Sequence, residues 1–212
     1  MASTAVSIKF PMGRIVQGSL YRLNDRNKKG ELLTYKKGPK TGQQRYEVFF
    51  ALAIPKKPGE THFAQTEWGA KLWSIGHAAH PVAAKSDDFA WKVVDGDSNK
   101  INKEGVAPNM KEGFPGHWVV FFKNGSIPRI GQWINGQWAD LQTPDVVKAG
   151  YWVEVLASVE GNGQDNESPG IYINHNQVCF RYEGPEIVFG PDPNKVGFGE
   201  GDMPAGAVPV PP

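Results

Sequence analysis

The chain has 212 residues, 40% hydrophobic and 21% charged, enough apolar material for a core that needs neither disulfides nor a structural metal. A lone cysteine, Cys179, excludes an intramolecular disulfide and fits a reducing compartment, and its strand-like surroundings suit a small half-buried residue. A net charge of +1 excludes a uniformly basic polyanion binder. Charge is nonetheless unevenly spread: residues 1–71 carry 13 Lys/Arg against five acids, whereas the rest of the chain is net acidic. Such asymmetry points to a polyanion on one surface; the plainer reading is a solvated charged face.

The first strand is expected over Arg14–Leu23. A loop rich in Lys, Gly and Pro follows, with little that packs, and leads to a second strand, Arg45–Ile54. There Tyr46, Val48, Phe50, Leu52 and Ile54 share one face, and Arg45, Glu47, Phe49, Ala51 and Ala53 the other. The one convincing helix covers about Phe63–His80, where Trp68, Leu72, Ile75 and Ala79 form an apolar stripe and Pro81 ends it. Strands return at Phe89–Val94, His117–Lys123, Arg129–Trp133, Trp138–Leu141, Tyr151–Glu160, Ile171–Asn174 and Val178–Tyr182. Asn135-Gly136 marks a type I′ hairpin. From about residue 190 the Gly/Pro-rich chain has no period and reads as a disordered tail, which leaves 1–190 as one domain and 191–212 as tail. The fold class expected is mainly β: an OB-fold-like β-barrel with one inserted helix and extended loops, an all-β sandwich being the alternative.

No stretch approaches the roughly 20 apolar residues that span a bilayer. The start, MASTAVSIKFPMGR, lacks the form of a signal peptide. A cytosolic protein is expected, with no meaning for the Asn166-Glu167-Ser168 sequon.

Signatures of catalysis are missing: no nucleophile elbow, phosphate-binding loop, dinucleotide fingerprint or His-Glu-x-x-His occurs. His77 and His80 have helical spacing for a shared metal, but nothing completes a site, so surface or capping roles are expected for the histidines. Asp95-Gly96-Asp97 resembles a carboxylate pair for Mg²⁺, but an Asp-Gly turn accounts for it better. No cofactor and no enzymatic activity are expected.

Binding signals are richer. Single-stranded DNA offers phosphates and base faces, so a sequence-tolerant binder needs cations along a groove and aromatic plates to stack on. Tyr35, Lys36, Lys37 and Lys40, leading to Arg45, supply both in the loop between the first two strands, and Lys56 and Lys57 are expected at the same rim. Arg14, Tyr21 and Arg129 add to the set. Trp133 and Trp138 flank a hairpin tip that cannot easily bury both; Trp152 and Tyr172 alternate with core residues and point away from them. Trp118 and Trp68 read as core.

The later segments also resemble a family. Trp91–Asp97 (WKVVDGD), Phe114–Lys123 (FPGHWVVFFK), Pro128, Lys148–Val159 (KAGYWVEVLASV) and Pro169–Gly184 (PGIYINHNQVCFRYEG) occur in the order seen in single-stranded DNA-binding proteins of T7-like phages. Gly170, Ile171, Asn174, Gln177 and Val178 are the most specific part. The resemblance covers about residues 14–190. It implies an OB-fold that coats single-stranded DNA in replication and recombination in the host cytoplasm. It also implies self-association along DNA and contacts with replisome proteins (polymerase, helicase/primase) through an acidic tail. The tail here departs from that pattern: its acids are Asp192, Glu200 and Asp202, and it ends in Val-Pro-Val-Pro-Pro, so either it is shortened or recruitment works differently. Two other classes remain open: a carbohydrate-binding domain, or a virion-structural domain whose exposed Trp residues pack against partners.

Overall fold

The computed structural model describes residues 5–27, 29–36, 38–102, 105–163 and 168–188. The expected tail, with Lys28 and Lys37 of the basic run, lies outside these.

Among the described residues the strands are β1 (Val6–Gly18), β2 (Val48–Pro55), β3 (Val93–Asp95), β4 (His117–Asn124), β5 (Arg129–Ile134), β6 (Gln137–Asp140), β7 (Trp152–Gly161) and β8 (Ile171–Tyr182). One α-helix, α1 (Glu67–Ala79), lies between β2 and β3, and a 3₁₀ turn at Phe63–Gln65 precedes it. The strands form one sheet in the order β3-β4-β2-β1-β7-β8-β5-β6. Its single parallel pairing is β5 with β8. β4 and β5 each lie one place in from an end of that order, yet only residues 125–128 join them, so the sheet must curl round on itself. At the seam the Asn124 side chain donates to the His175 carbonyl of β8 at 2.8 Å. The expected mainly β, OB-like architecture with an inserted helix is present. The barrel, however, is not closed by a continuous ladder. Pro128 has no N–H to carry β4 onto β8, and β5 takes up that pairing from Arg129.

β1 begins eight residues before the expected start. Ile8 and Phe10 are inward and buried, and Pro11 is absorbed in a bulge where the register with β7 shifts between Phe10 and Gly13. β3 is shorter than expected because Phe89 and Trp91 turn into an aromatic cluster and Lys92 takes φ 57°, which ends extended pairing. The two strands expected between 171 and 182 are one, β8, with Asn176 as the extra residue of a bulge opposite Leu156 and Ala157.

The main core fills the curl. Ile8 and Phe10 of β1, Phe50 and Leu52 of β2, Val120 and Phe122 of β4 and Val153, Val155 and Ala157 of β7 all pack there. Trp68 and Leu72 of α1 seal one opening, with Thr66 capping the helix through its side chain to the Gly69 N–H (2.9 Å). Trp68 and Trp118 are core residues, as expected. β2 is buried on both faces: Ala51 and Ala53 join Val16, Phe114, Val119 and Ile187 in a second cluster outside the barrel. The histidine expectation needs correcting. His62 caps the 3₁₀ turn, but His175 is fully buried against Phe50, its Nε2 3.3 Å from the Val48 carbonyl.

Candidate nucleic-acid interface

The basic segment between β1 and β2 is an ordered arm rather than a shapeless loop. Gly18, at φ 79°, turns the chain out of the sheet where a Cβ would overlap the Phe49 carbonyl. Asn24 and Glu47 then exchange backbone hydrogen bonds at 2.9 and 2.8 Å. Leu33 N donates to Asp25, Arg45 N to Leu33 and Tyr35 N to Gln43, at 2.7 to 3.0 Å. Three extended runs thus brace one another, and the arm holds Arg22, Arg26, Lys29, Lys36 and Lys40 in solvent. Lys40 Nζ lies 5.8 Å from the Tyr35 ring centroid.

At the root of the arm, the outer face of the sheet carries an aromatic pair that the sequence reading did not single out. Phe49 of β2 and Phe121 of β4 stack at 6.2 Å and 11°, both half-exposed. Their alternation with Phe50 and Phe122, which point inward, fixes this orientation. Lys123 Nζ lies 5.5 Å from the Phe49 centroid. Glu47 holds this Lys at 2.8 Å and Arg45 at 3.3 Å. Half-buried Lys92 stands nearby; burial pushes its ammonium down from the ordinary lysine value, and the charge of Lys123 adds to the shift. A cation so disfavoured gains from an arriving anion.

The second aromatic element is the β5–β6 hairpin. Asn135 (φ 50°) and Gly136 (φ 78°) make the expected turn with both central residues left-handed. Trp133 and Trp138 face each other across it. Asp140 accepts two bonds from Arg129 (2.7 and 2.8 Å) and one from the Trp138 indole (2.7 Å), which hold its carboxyl down at about 2. Trp138 is thereby fixed and half-buried, while Trp133 remains 54% exposed.

Other expected residues are engaged elsewhere. Lys56 and Lys57 follow the far end of β2, about 25 Å from the arm's root across its eight residues, so they share no rim with it. Asp95 and Asp97 (2.8 Å) hold the Lys56 ammonium, 4.3 Å from the Trp118 centroid. The Asp-Gly-Asp turn is thus paired with a lysine, and among the described residues no group of three potential ligands could hold a metal ion. Arg14 donates to the carbonyls of Gly150 (2.9 Å) and Pro185 (2.7 Å). Tyr21 packs against the main core, where burial raises its phenol above the ordinary value. Trp152 is half-buried beside Gly184; Tyr172, the second residue of β8, is exposed.

Comparisons with known proteins agree with this architecture. No family model matches the chain, and neither does any curated protein sequence. Among solved structures, the chain is similar to the single-stranded DNA-binding protein of bacteriophage Enc34. In its complex with single-stranded DNA, the match has 17% identity and a TM-score of 0.56, over 86% of this chain and 89% of that one. For the same protein without DNA the values are 16% and 0.57, over 90% and 89%. The single-stranded DNA-binding protein gp2.5 of bacteriophage T7 matches at 12% identity and a TM-score of 0.48, over 98% and 100%. The chain has the fold of a phage single-stranded DNA-binding protein. Among these, the Enc34 protein is a neighbour at fold level over most of both chains. No described helix is long and apolar enough to cross a membrane.

Proposed function

We propose that the protein binds single-stranded DNA with little sequence preference and has no chemistry of its own, coating the strand during phage DNA replication and recombination. The observation that carries this reading is the Phe49–Phe121 stack, half-exposed and flanked by Lys92, Lys123 and Arg45 at the root of a cationic arm. Bases stack on the aromatic pair while Arg22, Arg26, Lys36 and Lys40 track phosphates, and Trp133 extends the stacking surface. Lys37 belongs to the same proposal. The Enc34 neighbour, solved with single-stranded DNA, supports it. Replisome proteins and further copies of the chain along the strand are the proposed partners.

The test is fluorescence anisotropy with labelled oligo-dT over a salt series. Tight binding that weakens steeply with salt is expected. Phe49→Ala with Phe121→Ala should cost about tenfold or more at an unchanged salt slope. Lys36→Ala with Lys40→Ala should make the slope shallower by about 1.4. Absence of salt-sensitive binding at low ionic strength overturns the reading.

A further inference from the structure

Beside the hairpin, the outer face of β7 and β8 holds a groove of about 260 Å³ that shares Trp133 with the proposed stacking surface. Trp133, Trp138, Lys9, Glu154, Leu156, Gln177 and Cys179 line it. It is smaller than the pockets of about 300–1,000 Å³ that take drug-sized ligands, and so suits a single ring system. Two indoles and Leu156 supply flat apolar walls. One of those walls is fixed in place, because Trp138 is held by Asp140 and packs over Gly131.

The polar groups differ in how they are engaged. Glu154 is paired with Lys9 (3.0 Å) and Arg181 (3.8 Å). Gln177 is half-buried, and among the described residues its side-chain amide makes no hydrogen bond. An amide in that position presents a donor and an acceptor side by side to the solvent-open groove. Every nucleobase offers the complementary pair on its Watson–Crick edge. Lys9, 65% exposed at its side chain and paired with Glu154, lines the groove where it can exchange that carboxylate for an attached phosphate.

We propose that this groove takes one unstacked nucleobase, with Trp133 against its face and Gln177 hydrogen-bonded to its Watson–Crick edge. The inference rests on the reading of the chain as a single-stranded DNA binder and adds a place where a base is recognised by its edge. An unpaired edge would then be a condition of full affinity, which is how the groove would distinguish single strands from duplex.

The test compares oligo-dT with the same oligomer built from N3-methylthymidine, which keeps ring and phosphate but blocks the edge. Full-length wild type should bind the methylated strand about three- to tenfold more weakly, the effect of a lost hydrogen bond. Gln177→Leu should bind both strands alike, at an unchanged salt slope. Trp133→Ala should weaken oligo-dT binding about tenfold. Equal wild-type affinity for the two strands overturns the groove assignment and leaves strand binding intact. Discrimination that survives in Gln177→Leu overturns it too, because another residue then reads the edge. No binding of oligo-dT at all removes the reading beneath it.

Discussion

The indole of Trp138 packs over Gly131 so closely that a Cβ at position 131 would run into its Cε2 and Cζ2 atoms. The glycine on β5 is what lets the side chain from β6 lie against the sheet and reach Asp140. Gly131→Ala should therefore expel the indole, costing about 1–3 kcal/mol of stability. With that donor gone, the Asp140 carboxyl should titrate above about 2 but still below its ordinary 3.8, because the Arg129 pair, the larger cause of the depression, remains. Carboxyl NMR titration and a denaturant midpoint check both. In the wild type Asp140's depressed value means the contribution of this lock is fully present above 3.8 and disappears as pH falls through about 2.

Arg14 makes a different use of its charge from the one its sequence context suggests. Its guanidinium joins β1 to the carbonyls of Gly150 and Pro185, 136 and 171 residues away. Arg14→Ala should lower stability by about 1–3 kcal/mol. Arg14→Lys should recover only part, since an ammonium does not present the two-pronged fork. Oligo-dT affinity should stay within about twofold of wild type. A loss of affinity with stability intact would return Arg14 to the phosphate track.

What could be read from the residues and what could not divides along physical lines. Local chemistry was legible: Asn135-Gly136 fixes the hairpin, Trp68 and Leu72 mark the buried stripe of α1, and the alternation in β7 orients Val153 to Val159. Long-range pairing was not. Nothing near Arg129 announces a parallel partner at Gln177, and Lys56 has no local sign of Asp95 and Asp97, some forty residues on. At the candidate interface, period-two spacing separated Phe49 from the core face of β2. Only the β2–β4 register, which sets Ala51 opposite Phe121 and Phe49 opposite Lys123, makes a stacked pair of it.

His175 gives stability a pH dependence near neutrality. Fully buried beside Phe50, with Nδ1 unpartnered, it has a pKa pushed below the ordinary 6.5, chiefly by burial. Below 6.5 the unfolded chain takes up a proton that the native state refuses. The unfolded state then binds more protons, and stability falls as pH is lowered through the window between 6.5 and the depressed native value. Urea midpoints from pH 7.5 to 5 should show this decline. His175→Leu, which is apolar and never protonated, should flatten it. A decline of equal steepness in that variant would assign the effect to other groups.

Glu47 sits where an incoming phosphate is expected. Its carboxylate, side chain only 16% exposed, holds both Lys123 and Arg45 beside the Phe49–Phe121 stack, so in the free protein it neutralises the cations the strand would meet. Binding must then exchange a carboxylate for a phosphate on the same two side chains, and the free energy of those ion pairs is set against affinity. Glu47→Gln keeps the side chain's shape and removes the competing charge. Oligo-dT affinity at low salt should rise about two- to fivefold, the scale of partly exposed ion pairs. The log–log salt dependence should become steeper, because cations formerly satisfied within the protein now release counterions on binding. The opposite outcome is equally readable. If Glu47 serves instead to aim Lys123 and Arg45, the Gln variant loses affinity with no change in slope. Anisotropy titrations at three salt concentrations separate the two.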